Sequence, residues 1–327
     1  MCGIVGYLDR SGSVDAPVGA KVLGMLEALA CRGPDSSGIA LWGAPAEGLV
    51  LRVKVGEQGD PARAREILRL AGRHGRVQAR ATGASIIRFE IAKADAGALA
   101  AAIEAVASGV EVVSMGRQLQ IVKRVGAPTN LEAEFGVSHM TGTHGIGHTR
   151  LSTESRVDLS HSQPFWAHGT PDLAVVHNGH ITNYHRLRRG YEQEGVRFYT
   201  ENDSEVIGVY LARQLARGAS LQEALEASVR DLDGSFSYLA ATPDEFGYAK
   251  DPYCLKPLLV GERDEAVALA NEEIAIHAAL PGAYRAREAG AAAVGVWAIP
   301  RRARHAGRSA GRREIAGRGL DGPGVLR

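Results

Sequence analysis

Long apolar runs are missing from this sequence. No stretch of about 18 residues is free of charge, and the most apolar one, Ala96 to Val113, is broken by Glu104 and Glu111, so a membrane-spanning helix is excluded. Cysteine is scarce: Cys2, Cys31 and Cys254 cannot build a disulfide framework, and no C-x-x-C or His-x-Glu pair marks a zinc site. A surplus of one charge is missing too. Lys and Arg number 38 against 37 Asp and Glu, a net +1, which argues against a chain-wide nucleic-acid binder. No basic stretch followed by an apolar one opens the chain, and no G-x-x-x-x-G-K-[ST] loop occurs. The expectation is a cytoplasmic protein with reduced thiols.

What is present is ordinary globular composition, 45% hydrophobic and 23% charged over 327 residues, a length that suits about two domains. Charge is uneven. Residues 301–327 carry eight Arg against Glu314 and Asp321, a surplus of +6 that leaves −5 on the first 300. Runs at 3–8 and 37–42 read as buried strands, and 17–30 as an amphipathic helix. A helix over 61–70, a strand over 84–91, a helix over 96–107 and strands over 110–114 and 118–125 suggest a small α/β insertion. Further on, a strand over 173–177 runs into the turn signal Asn178-Gly179, and helices follow over 184–194 and 203–216. Ser220 with Glu223 forms a capping box for a helix over 221–232. Strands are expected over 236–242, 246–250, 258–260 and 266–270. After Tyr284 the pattern fades into Arg, Gly and Ala, which reads as a disordered tail. Strands outnumber helices and come from both ends, so a mixed α/β (α+β) sandwich fits better than a doubly wound sheet.

Four clusters could carry chemistry, and each also has a plain structural reading. Cys2, exposed as the first residue if Met1 is trimmed, would place a thiol beside an α-amine titrating near roughly 7.7–8.0, so nucleophile and base would come from one residue; the plain reading is a frayed terminus. Arg150, in Gly147-His148-Thr149-Arg150-Leu151-Ser152-Thr153, can clasp a carboxylate with two hydrogen bonds or be a solvated loop charge. The Asn178 amide and the Gly179 N–H can form an oxyanion hole or a simple turn. Asp203 can receive an ammonium or cap a helix.

Together, in this order, these clusters resemble one family. Cys2-Gly3-Ile4-Val5-Gly6, Arg32-Gly33-Pro34-Asp35-Ser36-Ser37-Gly38, His148-Thr149-Arg150, His177-Asn178-Gly179 and Asn202-Asp203-Ser204-Glu205-Val206 are similar to the motifs of class II glutamine amidotransferases. So are Asp233-Gly234-Ser235-Phe236 and Asp251-Pro252 with Lys256-Pro257-Leu258. The resemblance covers residues 2–51 and about 136–282. It implies a four-layer αββα N-terminal-nucleophile hydrolase sandwich, discontinuous over 2–51 and 131–283, with an α/β insertion at 52–130 and a tail at 284–327. By the same resemblance Cys2 is nucleophile and α-amine base. Asn178 and Gly179 hold the oxyanion, Arg150 the substrate carboxylate with Thr153 nearby, and Asp203 the substrate ammonium. Arg32 belongs with the substrate-binding group and shapes the loop near the nucleophile. No metal is needed.

The acceptor motifs of the larger amidotransferases are not found, so the implied arrangement is a glutaminase subunit that passes ammonia to a separate partner. The run from Gly136 to Arg150 and His161-Ser162-Gln163-Pro164-Phe165 resemble the small subunit of N-methylglutamate synthase and glutamate synthase-like complexes. There the resemblance implies partner subunits carrying FMN and an iron–sulfur cluster, with no cofactor in this chain. Two alternatives stand beside it: a stand-alone amidohydrolase of another γ-glutamyl compound, and a non-catalytic regulatory or assembly subunit. Trp297 reads as a remnant of the family's closing strand, and the insertion as a docking surface.

Overall fold

The computed structural model describes residues 2–56, 59–82, 85–152 and 156–300. The chain begins with β1 (Gly3–Asp9), α1 (Val18–Ala28) and β2 (Ser36–Trp42). A separate unit follows: β3 (Leu49–Val55), α2 (Pro61–His74), β4 (Arg76–Thr82), β5 (Ile86–Ala92), α3 (Ala96–Glu104) and β6 (Val110–Gly116). The chain then returns through β7 (Leu119–Val125), α4 (Thr129–Phe135), β8 (His144–Arg150), β9 (Phe165–Trp166) and β10 (Ala174–Ile181). Three helices come next, α5 (Tyr184–Gln193), α6 (Asp203–Ala216) and α7 (Leu221–Asp231). The described chain closes with β11 (Gly234–Ala241), β12 (Glu245–Lys250), β13 (Leu259–Glu262), β14 (Ala266–Ala270), α8 (Glu273–Ala279), β15 (Arg285–Glu288) and β16 (Val294–Ala298).

Two sheets face each other. One has the order β15-β13-β14-β1-β8-β2-β7, the other β16-β12-β11-β10-β9. β1 shows why both stack. Its alternate residues Ile4 and Leu8 pack inward with Ile146, Val176, Leu239 and Phe246, while Val5 and Tyr7 pack outward against α1 and α8. A strand apolar on both faces has to be covered on both. α6 and α7 close the far side over Ile207, Leu211, Leu221, Leu225, Phe236 and Tyr238. The result is helix, sheet, sheet, helix, the four-layer arrangement expected from the sequence.

β8 departs from the sequence reading, which placed Arg150 in a loop. Its residues His-Gly-Ile-Gly-His-Thr-Arg show no apolar periodicity, yet all seven are buried at the centre of the larger sheet. Glycine is needed there because α1 lies directly against the strand: a Cβ on Gly147 would sit 3.0 Å from Leu26, Val22 and Val5 side chains. The reading missed β3, β4, α4 and α8 as well. It also put the tail too early. Residues 285–288 form an edge strand on β13 and residues 294–298 an edge strand on β12. β15 is exposed throughout and reads Arg-Ala-Arg-Glu, the charged composition that protects a sheet edge but hides it from hydrophobic patterning. Trp297, on β16, packs its ring 6.0 Å from both Phe246 and Tyr248. The Arg-rich segment 301–327 lies outside the described residues.

The insertion is a four-stranded sheet, β4-β5-β3-β6, backed by α2 and α3. Its helices start where the sequence puts capping carboxylates: Asp60 accepts from the amides of Ala62 and Arg63, and Asp95 from that of Ala98. The strands run from Leu49 to Gly116, so 52–130 does not bound the unit. β7 instead pairs with β2 from Ser36–Val125 to Trp42–Leu119 and belongs to the larger sheet. The chain leaves and re-enters at one neck, where the Ala46 N–H donates to the Arg117 carbonyl at 2.8 Å. Asp172 staples that neck. Its carboxylate accepts from the amides of Arg117, Gln118 and Leu119 at 2.9, 2.8 and 2.8 Å.

Candidate active site

The register of the sheets brings the sequence clusters to one end of the sandwich. Gly3 of β1 is opposite Thr149 of β8, so Cys2 lies beside Arg150. β10 delivers Asn178 and Gly179 from the facing sheet, and His148 Nε2 lies 3.2 Å from the His177 carbonyl oxygen across the gap. Between these strand ends is a cavity of about 730 Å³ whose lining includes Cys2, Arg150, Gln163, Asn178, Gly179 and Asp203. Five of the residues singled out in the sequence therefore line one cavity. Thr153 lies outside the described residues.

Cys2 is half-buried, and its Sγ lies 3.8 Å from the Leu151 carbonyl oxygen. Its main chain is fixed from behind. The Arg32 Nε donates to the Cys2 carbonyl at 3.2 Å, while Arg32 Nη1 pairs with Glu272. Arg32, which the resemblance grouped with the substrate-binding residues, is not part of the cavity lining and sits behind Cys2. Two residues further on, the Ile4 N–H donates to the Asn271 side chain, which itself donates to the Pro257 carbonyl. Sequence reasoning missed Asn271. The available signal was a polar residue directly after the wholly apolar strand β14.

The Asn178 side chain is 3% exposed, and its Nδ2 has no hydrogen-bond partner. A buried amide N–H with no acceptor costs free energy unless a ligand supplies one. Beside it Gly179 has φ +151°, and a Cβ there would lie 2.2 Å from the Ser235 carbonyl oxygen. Only glycine fits, and the backbone there is open to the cavity. The pair can present two N–H groups to one oxygen.

Arg150 is buried, donating through Nη1 to the Arg156 carbonyl at 2.8 Å and through Nη2 to Ser152 Oγ at 3.2 Å. Burial lowers its pKa, while Cys2, Asp158 and Asp35 oppose that shift. Opposite, Asp203 opens α6, where Asn202 caps the helix by accepting from the Ser204 amide. The sequence left cap and ligand as alternatives for Asp203; the neighbouring Asn202 takes the cap, and the Asp203 carboxylate accepts from the Ile181 N–H at 2.8 Å. Asp203 also lies 3.6 Å from His177 Nδ1 and 3.7 Å from His180 Nδ1.

His177, Gln163 and Ser204 form a buried layer under these groups. Gln163 Nε2 donates to the His177 carbonyl and to Ser204 Oγ, both at 3.1 Å, and Ser204 Oγ is 2.9 Å from His177 Nδ1. Burial holds the His177 imidazole below its ordinary pKa, against the pull of Asp203, so the layer is neutral. It fixes β10 against α6, and hence Asn178 and Gly179 against Asp203.

Among the described residues no helix is long and apolar enough to cross a membrane. The model of a glutamine amidotransferase domain matches residues 148–278. A candidate glutamine amidotransferase of Methanothermobacter thermautotrophicus is 38% identical over 292 residues, covering 84% of this chain and 93% of that protein. The glutamine amidotransferase-like protein GlxB of Rhizobium meliloti is 38% identical over 277 residues, covering 83% and 89%. Among solved structures, the glutamine phosphoribosylpyrophosphate amidotransferase from B. subtilis superposes with a TM-score of 0.58 at 20% identity; 90% of this chain covers 47% of that one. That likeness shows a shared fold, over about half the length of the larger enzyme. With relatives of this identity matched over nearly their whole length, the chain belongs to the glutamine amidotransferase family.

Proposed function

We propose that this chain is a glutaminase that cleaves L-glutamine through a Cys2 thioester and releases ammonia to a separate partner subunit. The observation that carries the reading is the shared cavity: a thiol, an unpartnered amide donor, a buried guanidinium and a carboxylate all line it. A zwitterionic amino acid calls for one cation and one anion, and a tetrahedral intermediate calls for an oxyanion hole. Once Met1 is removed, the Cys2 α-amine takes the thiol proton as Sγ attacks the side-chain carbonyl carbon. Asn178 Nδ2 and the Gly179 N–H receive the oxyanion. The C–N bond then breaks, the amine returns its proton to the nitrogen, and ammonia leaves. Water attacks the thioester, restores the thiol and gives glutamate. Arg150 holds the α-carboxylate and Asp203 the α-ammonium.

The partner is part of the proposal. The relatives matched over nearly their whole length have about this chain's size, which supports a glutaminase made as its own subunit. We assign the acceptor to glutamate synthase-like subunits of the N-methylglutamate synthase type, which would carry FMN and an iron–sulfur cluster. The test is the N-terminal mass of the purified protein together with glutamate release from glutamine, with Cys2→Ala as control. Loss of Met1 and release that vanishes in Cys2→Ala are expected. Equal release by the variant would remove Cys2 from the mechanism.

A further inference from the structure

The first turn of α6 does three things with three consecutive residues. Asp203 lines the cavity, Ser204 ties His177 to Gln163, and Glu205 turns the other way. Glu205 is buried, and its carboxylate accepts from the Tyr199 amide, the Thr200 amide and the Thr200 hydroxyl, each at 2.9 Å. One carboxylate thus fixes the 199–200 segment to the start of α6. The Tyr199 ring lies flat between two cations or potential cations. It stacks on His168 with centroids 4.2 Å apart, and the Arg197 guanidinium sits 5.0 Å over it. His168 Nε2 is 3.2 Å from Glu104 Oε1, and that same oxygen accepts from the Val112 amide. Glu104 ends α3 and Val112 is on β6, so both belong to the insertion. Burial, reinforced by Glu104, raises the Tyr199 phenol above its ordinary value.

A continuous set of contacts therefore runs from the insertion to the residue placed against the substrate ammonium. Glutamine catalysis depends on geometry, where a displacement of about 1 Å can cost on the order of 10²-fold. Side chains that lock the ligand-holding groups matter for that reason.

We propose that Glu205 and Tyr199 are positioning residues for Asp203, and that the insertion sets the glutamine affinity of the site through Glu104 and His168. This rests on the glutaminase reading and goes beyond it, giving the insertion a role in the site itself.

The test is isothermal titration of L-glutamine into the full chain carrying Cys2→Ala, so that no turnover occurs. Tyr199→Ala should raise Kd by about tenfold, because it removes the ring between Glu205 and His168. Tyr199→Phe keeps the stacked ring and should stay within twofold. Glu104→Ala cuts the path at the insertion end and should raise Kd at least threefold, with far-ultraviolet circular dichroism unchanged. It serves as the second variant if Tyr199→Ala does not fold. Binding by the parent that is equal in Tyr199→Ala or Glu104→Ala overturns the inference alone. Equal weakening by Tyr199→Phe and Tyr199→Ala overturns the stacked-ring path. No binding of L-glutamine by the parent overturns the proposed function and this inference with it.

Discussion

Asn178 is the residue whose role is most exposed to a single substitution. It lines the cavity with Cys2, and its buried Nδ2 has no hydrogen-bond partner among the described residues. Asn178→Ala is expected to lower kcat for glutamine hydrolysis by on the order of 10²–10³, the usual loss of one oxyanion donor, with KM little changed. Steady-state glutamate release measures both, and a fall below threefold would contradict the role. Arg150 is expected to act differently, since its guanidinium would hold the ground state and the transition state alike. Arg150→Lys keeps the charge but loses the two-pronged geometry, so KM should rise while kcat changes less. At this scale the sequence was informative. Cys2, Arg150, Asn178, Gly179 and Asp203 were legible from residue type and local motif. Gln163 and Ser204 stood inside matching motifs without a role, and Asn271 in none, because a buried amide or hydroxyl has no local signature and its partner lies tens to hundreds of residues away.

Elements with local start signals were the easiest to find. Ser220 and Glu223 form a capping box in the structure as in the sequence, both bonds present at the start of α7. Ser220→Ala should destabilise the fold by about 1 kcal/mol with activity retained, read from the urea midpoint against glutaminase rate. Asp172 is the opposite case. It sits in a turn with φ +63° and gives no motif, yet its carboxylate collects three amides at the neck of the insertion. Removing it strands three N–H groups at once, and for a buried one such as that of Leu119 the cost is about 1–3 kcal/mol. Asp172→Ala should therefore lower stability by several times the Ser220→Ala effect. An equal or smaller loss in the same urea experiment would show that the neck does not depend on this residue. β8 and β15 went unread for physical reasons: the first is glycine and polar residues under a closely packed helix, the second a charged edge.

For the whole molecule, pH is the clearest lever. His144 and His148 are fully buried in the central strand β8, and burial pushes both to about 3. His144 stacks on Trp42 with centroids 4.6 Å apart. The unfolded chain binds protons on these rings below about 6.5 while the native chain does not. Their contribution is therefore complete above about pH 6.5 and is lost as pH falls towards 3. Each ring loses about 1.4 kcal/mol per pH unit well below 6.5. Between pH 7.5 and 5 the pair should lower the unfolding free energy by about 4 kcal/mol. Urea titrations at the two pH values measure it, and equal stability at both would show that the rings are protonated in place.

Local chemistry settled what this sequence could state alone. A cysteine at the second position, an Arg fit for a carboxylate, an amide beside a glycine and a capping box are properties of neighbouring residues. Tertiary structure decided the rest. Strand register placed Cys2 beside Arg150 and across from Asn178, and gave Asn202 the cap so that Asp203 could face the cavity. It also put Arg32 behind Cys2, drew the segment at 285–298 into two sheet edges, and joined the insertion to the site through Tyr199. Such outcomes depend on which surfaces meet after the chain has crossed between two sheets. That is fixed by long-range packing and hydrogen bonding, which no local window of sequence contains.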